Sequence, residues 1–481
     1  MSQLKYHSQY IESRNRIIEN TRIKRTDYRE ILNNHLQVIY GYKLLQPSDI
    51  NSLSGVNFLL SSSRGGSSIT VDILKQQAQS VSSVGKRILF LPGEQRPYFE
   101  LAKLTPPFKK ILSDRLDKSF INKEQVGYFL SELTSEIGYP VSQTTDLKGF
   151  AIAIYGRLLL QWPNINFGDP DNAIRTIELA IEKVSCVIDN TLIYKDEVVS
   201  REKLMNYIKL YFSKIDLRFY DSINSKIDTS STVSFSQYGF FIEEPPFIIP
   251  SPWHFASIND LSTGILILKD PSDAWRIPFW KWIFNRIPLS YTHLTRNVYE
   301  SINGLCEGWN FPYGYITTRS PQPIQIKGYT SIELPWTSWY VNYSTSDKVW
   351  KLLLSHQEVY LEKIVVQQWI DAHQSIINQV GNDLNYFRLS SNKYEDKIGF
   401  EWLRSEPIEA ISQLCNIFEF ELTSTLLKAA QQIAIHQVQV TPGTNGESNR
   451  WEKAPNRNMI ALYANDPVVV DLSKKLGYST K

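Results

Sequence analysis

The chain has 481 residues, of which 42% are hydrophobic, and its formal net charge is +2. This length and composition suffice for a large apolar core, and the near-neutral charge excludes a general nucleic-acid coat while leaving room for a local basic pocket. The three cysteines are widely spaced and predict neither a metal site nor a disulfide framework. The start of the sequence lacks the apolar core of a signal peptide, and no apolar run has the length of a membrane span. We therefore expect a cytoplasmic protein.

The first part of the chain is predicted to be helical and then to enter a sheet. Apolar positions recur at helical spacing between Ile17 and Ile39, so residues 1–55 are predicted to be mostly helical. The elements predicted next are the strand Val56–Leu60, a loop over Ser61–Ser68, the helix Ile69–Val81 and the strand Ile88–Leu91.

Residues 100–235 show helical periodicity and carry no catalytic motif. The clearest predicted helices there are Leu147–Gln161 and Ala173–Ile188. We interpret this stretch as an inserted helical subdomain or cap.

Strands and helices alternate again after the insertion. The predicted elements are the strand Gly264–Leu268, the helix Asp273–Phe284, the strand Leu289–Leu294 and a helix over Tyr299–Trp309. This order predicts an α/β fold with a mostly parallel sheet flanked by helices. The predicted domains are an N-terminal helical segment (1–55), an α/β core (56–99 and 250–481) and the inserted helical cap or substrate subdomain (100–249).

The loop after the first strand has the composition of an anion-binding site. Its residues are Ser61, Ser62, Ser63, Arg64, Gly65, Gly66, Ser67 and Ser68, and we call residues 61–68 the cradle. Two glycines let the backbone approach an anion, the following helix presents its N-terminus, and the hydroxyls and the arginine add donors. The cradle lacks the Gly-x4-Gly-Lys-Ser/Thr pattern, which argues against an ordinary ATPase or kinase. A serine- and glycine-rich linker is the alternative interpretation.

Two cations follow later strands at what would be their carboxyl ends, where α/β sheets bind ligands. Lys269 begins a Lys-Asp-Pro-Ser segment after Gly264–Leu268, and Arg296 follows Leu289–Leu294. Ser301 and Asn303, on the next helix, are candidate donors beside Arg296. A solvated lysine at a turn and an arginine that pairs locally are the alternatives.

The order of these three segments resembles the family of sulfotransferases that use 3′-phosphoadenosine-5′-phosphosulfate (PAPS), in its bacterial and tyrosylprotein branch. Two later segments are also similar to family elements. Asn392-Lys-Tyr394-Glu-Asp resembles a Tyr-Glu-Asp element that precedes a helix, here Pro407–Phe418. Gly446-Glu-Ser-Asn-Arg450-Trp451 resembles the loop that closes over the nucleotide, before a terminal helix over Leu472–Gly477.

The resemblance implies a sulfotransferase fold, with a P-loop-like sheet, and a nucleotide site. It covers residues 56–99 and 262–310 well and 385–477 moderately. It implies that the cradle binds the 5′-phosphosulfate, that Arg296 and a serine bind the 3′-phosphate, and that Tyr394, Arg450 and Trp451 contact the nucleotide. One departure is clear: the family serine eight positions after the arginine is Gly304 here, so Ser301, Asn303 or a backbone N–H would replace it.

The implied reaction is in-line transfer of a sulfuryl group, which depends on positioning and charge stabilisation and needs no metal. Arg64 and Lys269 are the candidates for stabilising the leaving phosphate. A general base must accept the proton of the acceptor hydroxyl. Glu94, after the second strand, is the first candidate, and His254 is its rival.

The acceptor is expected to be an alcohol or phenol, whether aromatic, lipidic or glycosidic. Aromatic residues between Trp309 and Tyr340 predict an acceptor pocket or lid, or else a hydrophobic patch between subdomains. Two other functions stay open: a nucleotide-dependent kinase or phosphotransferase with a divergent phosphate loop, and a non-catalytic nucleotide-binding protein of the same fold. No nucleic-acid partner is expected, and the oligomeric state is left open.

Overall fold

The computed structural model of the chain describes residues 23–78, 86–92, 123–141, 143–161, 165–184, 186–188, 191–193, 198–213, 252–310, 316–319, 326–327, 333–335, 359–391, 397–436 and 449–478.

The described strands are β1 (Gly55–Leu60), β2 (Arg87–Leu89), β3 (Gly138–Pro140), β4 (Gln143–Thr144), β5 (Cys186–Ile188), β6 (Thr191–Ile193), β7 (Trp253–Phe255), β8 (Gly264–Leu268), β9 (Leu289–His293), β10 (Ile316–Arg319), β11 (Ile326–Lys327), β12 (Glu333–Pro335), β13 (Val359–Tyr360) and β14 (Tyr386–Arg388).

The described α-helices are α1 (residues 23–40), α2 (Ser67–Ala78), α3 (Lys123–Glu136), α4 (Leu147–Gln161), α5 (Pro170–Val184), α6 (Val198–Tyr211), α7 (Ile258–Ser262), α8 (Ile277–Ile283), α9 (Val298–Asn310), α10 (Leu361–Val380), α11 (Gly399–Ser405), α12 (Pro407–Phe418), α13 (Ser424–His436), α14 (Arg450–Lys453), α15 (Arg457–Ala464) and α16 (Pro467–Lys475). Short 3₁₀ helices cover Pro47–Ser52 and Pro271–Trp275.

The described residues divide into two compact units. The first takes in described residues as far as Ile50, then Phe90–Pro92, and then Lys123–Asp260. The second takes in Asn51–Leu89 and the described residues from Leu261 onward.

A five-stranded sheet forms the centre of the second unit, in the order β14-β9-β1-β8-β2. Every neighbouring pair is parallel. All residues of β1 and β8 are buried, as expected for central strands that are covered on both faces and therefore read as continuous apolar runs. The predicted α/β class with a parallel sheet and a large helical content is confirmed.

Asn57 is the polar residue within this buried part of β1. Its amide donates to the Ser290 hydroxyl over 2.7 Å, and its carbonyl accepts from the Thr292 hydroxyl over 3.3 Å. Both partners belong to β9. A buried amide is tolerated only when it is hydrogen-bonded, so this contact favours one register between β1 and β9.

Helices pack beside the sheet around one apolar cluster. It contains α9, α10, α15 and α16, with Trp309 and Trp369 as its largest members. Trp309 is 1% exposed, and its indole N–H donates to Gln368 over 3.1 Å. The sequence prediction placed Trp309 in an acceptor pocket, and the structure corrects this: the side chain fills the core.

The first unit contains a buried charge cluster. The Arg25 guanidinium is fully buried and contacts both Glu132 and Glu136, and it donates to the Gly156 carbonyl over 3.0 Å. Arg29 reaches the other oxygen of Glu132 from a position that is 14% exposed. These contacts join α1 to α3 and α4.

The first unit also contains strands that the sequence did not predict. The helix predicted to end at Ile188 ends at Val184, and Cys186–Ile188 instead pairs with Thr191–Ile193 in an antiparallel hairpin. β4 joins the same small sheet, and β3 pairs with β7. The apolar residues at 186–188 continue the helical spacing, so sequence alone gave no reason to end the helix there.

The predicted helix Asp273–Phe284 is divided in two. Pro271–Trp275 is a 3₁₀ helix, and α8 begins at Ile277. Pro278 lies in the first turn of α8 and has no N–H with which to continue a helix from the preceding turn.

Candidate active site

The cradle connects the carboxyl end of β1 to α2. The side chains of Ser61, Ser62 and Ser63 are buried there. The Oγ atoms of Ser61 and Ser62 have no hydrogen-bond partner among the residues that the structure describes. A buried hydroxyl without a partner is costly, and an oxygen-rich ligand in the cradle would satisfy both groups.

The backbone of the cradle alternates in handedness. Arg64 has a φ of 61° and Gly66 a φ of 91°, while Gly65 between them is not in the left-handed region. Such alternation forms a concave nest of backbone N–H groups that suits an anion. A left-handed arginine costs about 1–2 kcal/mol, and strain of this kind is concentrated at functional sites.

The first turn of α2 completes the cradle. The Thr70 N–H and hydroxyl both donate to the Gly66 carbonyl, each over 3.2 Å. The N-terminus of this 12-residue helix, at Ser67, therefore directly follows the nest. Its unpaired N–H groups and its dipole favour a negative charge at the cradle.

Lys269 reaches the cradle from the neighbouring strand. It directly follows β8, whose Leu268 pairs with Phe58 of β1, and it is 3% exposed. Its Nζ donates to the Ser68 hydroxyl over 2.8 Å. The structure thus brings together Lys269 and the helix end of the cradle.

Arg296 reaches the middle of the cradle from the strand on the opposite side of β1. Its Nη1 donates to the Arg64 carbonyl over 2.9 Å, and its Nη2 lies 3.3 Å from a Glu300 oxygen. Its Nε is buried and has no partner within the described part of the chain. Burial lowers the pKa of this guanidinium, against the opposing effect of the Glu401 and Glu300 carboxylates.

Ser301 and Gly304 lie on α9, which follows Arg296. The Ser301 hydroxyl is fully buried and donates to the Arg296 carbonyl over 3.4 Å. A Cβ placed on Gly304 would lie 3.2 Å from the Arg64 Cβ and 3.6 Å from the Arg296 Nη1. The glycine therefore leaves room for the Arg64 side chain, which gives a physical reason for the departure seen in the sequence.

The late segment that carries Arg450 and Trp451 packs against the same helix. Arg450 pairs with Glu307, and the Trp451 ring lies 4.6 Å from the Tyr299 ring. Both contacts are with α9, so the structure brings this segment to the helix that begins just after Arg296.

Sequence reasoning missed α11, whose Phe400 lies on the cradle. A Cβ on Gly66 would come within 2.2 Å of the Phe400 ring, and the ring centroid lies 5.3 Å from the Arg296 guanidinium carbon. Glu401, the next residue, accepts from the Asn297 N–H and the Tyr478 hydroxyl, each over 2.9 Å. The seven residues of α11 are too few to show a clear helical periodicity. The residues that α11 contacts, such as Gly66 and Arg296, are also distant from it in the sequence.

Asp273 is another buried group that the sequence did not single out. It is fully buried in the segment after Lys269 and accepts from the Trp280 indole N–H over 2.8 Å. Burial, followed by the charge of Asp270, raises the pKa of Asp273 to about 7. The available signal was the pair of aspartates three positions apart directly after a buried strand.

His254 belongs to the first unit, in β7. Its Nε2 lies 3.4 Å from the Tyr42 hydroxyl, which itself donates to the Phe255 carbonyl over 2.7 Å. The imidazole N–H would therefore be the donor in a hydrogen bond to Tyr42. The His254 ring also packs 4.8 Å from the Tyr139 ring.

Glu94 and Tyr394 lie outside the described residues, as do the aromatic residues predicted between Phe311 and Tyr315 and between Trp336 and Tyr340.

Among the described residues, no group of three or more His, Cys, Asp or Glu side chains could hold a metal ion. No helix in the described part of the chain has both the length and the apolar character needed to cross a membrane.

Comparison with solved structures finds three similar chains. The chain is similar to sulfotransferase domains. The sulfotransferase domain from the curacin biosynthetic pathway is 12% identical, with a TM-score of 0.35 and coverage of 89% of this chain and 99% of that one. The sulfotransferase domain from the Synechococcus PCC 7002 olefin synthase is 10% identical, with a TM-score of 0.31 and coverage of 89% and 96%.

A third similar structure is sulfotransferase STF9 from Mycobacterium avium. It is 11% identical, with a TM-score of 0.32 and coverage of 93% of this chain and 82% of that one. No family model matches the sequence. No curated protein matches it.

Proposed function

We propose that the chain is a sulfotransferase that moves the sulfuryl group of PAPS to a hydroxyl of an alcohol or phenol acceptor. One observation supports this most strongly. The two strands beside β1 each deliver a cation to the cradle: Lys269 contacts Ser68 at its helix end, and Arg296 contacts the Arg64 carbonyl in its middle. A ligand with two separate anionic groups fits this arrangement.

In the proposed reaction the acceptor oxygen attacks sulfur in line with the bridging oxygen of the phosphosulfate. The bond between sulfur and that bridging oxygen breaks, and negative charge develops on the leaving phosphate. Lys269 and Arg64 would stabilise this charge, together with the N–H groups of the cradle. No metal is proposed.

The remaining nucleotide contacts follow from the resemblance stated above. Ser63, Gly65, Gly66, Ser67 and Ser68 would bind the 5′-phosphosulfate, as part of the cradle. Arg296 would bind the 3′-phosphate, with Ser301 close to it.

Tyr394, Arg450 and Trp451 would contact the rest of the nucleotide. The structural support is that Arg450 and Trp451 pack against α9, the helix that follows Arg296. The acceptor proton would pass to Glu94 or to His254, and the protein would act in the cytoplasm.

Ligand-dependent melting tests the nucleotide. Adenosine 3′,5′-bisphosphate should raise the melting temperature more than AMP or ATP does, without magnesium, because a ligand that binds the folded state stabilises it. Stabilisation by ATP with magnesium but not by the bisphosphate would favour the kinase alternative. Binding of the bisphosphate without any transfer from labelled PAPS to acceptors in a cell extract would favour the non-catalytic alternative.

Two variants test the roles at the cradle. Arg64→Ala should abolish transfer because the leaving phosphate loses a charged donor. Arg296→Ala should chiefly weaken binding of the bisphosphate. Equal transfer rates in Arg64→Ala and the unmodified protein would contradict the mechanism.

The general base is tested by a matched pair of variants. If Glu94 is the base, Glu94→Gln should lose turnover while still binding the bisphosphate, and His254→Ala should keep both. The reverse pattern would assign the base to His254.

A further inference from the structure

α11 is held tightly against the loop that carries Arg296. The Phe400 N–H donates to the Thr295 carbonyl over 2.8 Å, and Glu401 accepts from the Asn297 N–H. Gly399 has a φ of 57°, and a Cβ there would lie 2.3 Å from the Thr295 carbonyl oxygen. The start of this helix therefore has a fixed position beside Arg296.

The face of α11 that meets the site is marked by Phe400. Its ring covers Gly66 of the cradle and lies below the Arg296 guanidinium. Side chains four positions apart lie on the same helix face, so Arg404 stands one turn further along the Phe400 face. The helix thus places Arg404 on the face that Phe400 marks, one turn away from that residue.

Arg404 differs from its neighbours because none of the residues that the structure describes compensates its charge. Arg296 is paired with Glu300, and Arg450 with Glu307. Arg404 is half-buried and makes no hydrogen bond or ion pair with another residue in the part of the chain that the structure describes. A half-buried arginine without a carboxylate is a natural ligand for a phosphate.

Electrostatics agree with this geometry. Burial is the main cause that lowers the pKa of Arg296, and the positive charges of Arg450 and Arg404 lower it further. The charge of Arg404 is therefore felt at the Arg296 guanidinium. An anion placed between the two arginines would relieve their repulsion.

We propose that Arg404 is a ligand of the nucleotide 3′-phosphate, acting together with Arg296. This assignment rests on the proposed function. It adds a donor where Gly304 offers no side chain and where the Ser301 hydroxyl already donates to a carbonyl. Arg404 then contributes to the preference for a nucleotide that carries a phosphate at the 3′ position.

Titration calorimetry with two probes tests this role. Adenosine 3′,5′-bisphosphate and AMP differ only in the 3′-phosphate. Arg404→Gln should bind the bisphosphate roughly tenfold to a hundredfold more weakly, the range expected for one hydrogen bond to a charged group. Its affinity for AMP should not change, and Arg404→Lys should recover part of the loss because it keeps the charge.

A matched control is Arg286→Gln. Arg286 is exposed and precedes β9, so it lies near the amino ends of the parallel strands, whereas the cradle follows the carboxyl end of β1. This variant should therefore bind both probes like the unmodified protein. Melting temperatures without ligand should be equal for all these proteins, which shows that they fold.

The outcomes separate the two proposals. If the unmodified protein prefers the bisphosphate and Arg404→Gln keeps that full preference, the role of Arg404 is wrong and the proposed function stands. If Arg404→Gln weakens both probes equally, Arg404 does not recognise the 3′-phosphate. If the unmodified protein does not distinguish the probes, the proposed nucleotide is wrong, and the role of Arg404 with it.

Discussion

Nε2 of His293 lies 2.8 Å from Nδ1 of His373, and the two imidazoles share one buried hydrogen bond. The Tyr386 hydroxyl lies 2.7 Å from the other nitrogen of His293. Both histidines are fully buried. Burial lowers the pKa of His293 well below its usual range, and burial lowers the pKa of His373 to about 3. The folded protein therefore holds both rings neutral.

Acid should destabilise the protein through this pair. In the unfolded chain a histidine takes up a proton below about pH 6.5, whereas the pKa of folded His373 is about 3. Between these values the unfolded state binds more protons, so the free energy of unfolding should fall as pH falls, by about 1.4 kcal/mol per pH unit for each histidine. Urea unfolding at a series of pH values measures this slope.

His373→Asn should flatten the same curve. The variant removes one of the two titrating groups, so its slope between about pH 6.5 and 3 should be smaller by about 1.4 kcal/mol per pH unit. The comparison concerns the slope, so a loss of stability at neutral pH does not affect it. An unchanged slope would show that His373 is not held neutral.

Lys269→Met should lower sulfuryl transfer by a factor on the order of 100 to 1,000, the usual cost of removing one preorganised donor. Lys269 is buried, and an apolar side chain of similar length suits that position, so the fold should persist. Release of adenosine 3′,5′-bisphosphate from PAPS gives the rate. Transfer within threefold of the unmodified protein would remove Lys269 from the mechanism.

Gly66→Ala should be more damaging than an ordinary glycine replacement at positive φ. The alanine would meet the Phe400 ring at 2.2 Å in addition to adopting a φ of 91°. Gly41→Ala is the matched control, because Gly41 has a φ of 74° and nothing lies within 4 Å of its added Cβ. The control should cost about 1–2 kcal/mol of unfolding free energy, and Gly66→Ala more, by denaturant titration. Equal losses would mean that the Phe400 ring moves aside freely.

Arg25→Met should destabilise the protein by about 3–5 kcal/mol, because it removes the fully buried cation that pairs with both Glu132 and Glu136. Arg29→Met is the comparison, since Arg29 contacts the same Glu132 from a partly exposed position that water can reach. Its loss should be about 1 kcal/mol or less. Guanidinium unfolding of both variants gives the two values, and a larger loss for Arg29→Met would contradict this account.

The sequence predicted the sheet well because buried parallel strands read as uninterrupted apolar runs. Gly264–Leu268 was predicted with the observed bounds, and β1 differs by one residue. Because these strands are parallel, their carboxyl ends lie on the same side of the sheet. The approach of Lys269 and Arg296 to the cradle could therefore be expected as well.

Contacts between distant segments could not be predicted in this way. Phe400 reaches Gly66, and His293 reaches His373, without any local pattern that links the two partners. Arg404 was missed for the same reason, since its position follows from how α11 packs rather than from its neighbours in the sequence. The hairpin at Cys186–Ile188 depends on a partner strand that forms only in the folded unit.

The position of β1 in the sheet has a consequence for the chain as it is synthesised. β1 is covered on both sides by β8 and β9, and Ser54 beside it donates to Gly264, 210 residues later. At about 5–20 residues per second, a ribosome needs roughly 10–40 s to supply that partner. During this time β1, which is apolar except for Asn57, lacks both of its neighbouring strands. The exposed strand is then a binding site for chaperones and a starting point for aggregation. Soluble yield should therefore depend on chaperone supply more than on the stability of the finished fold.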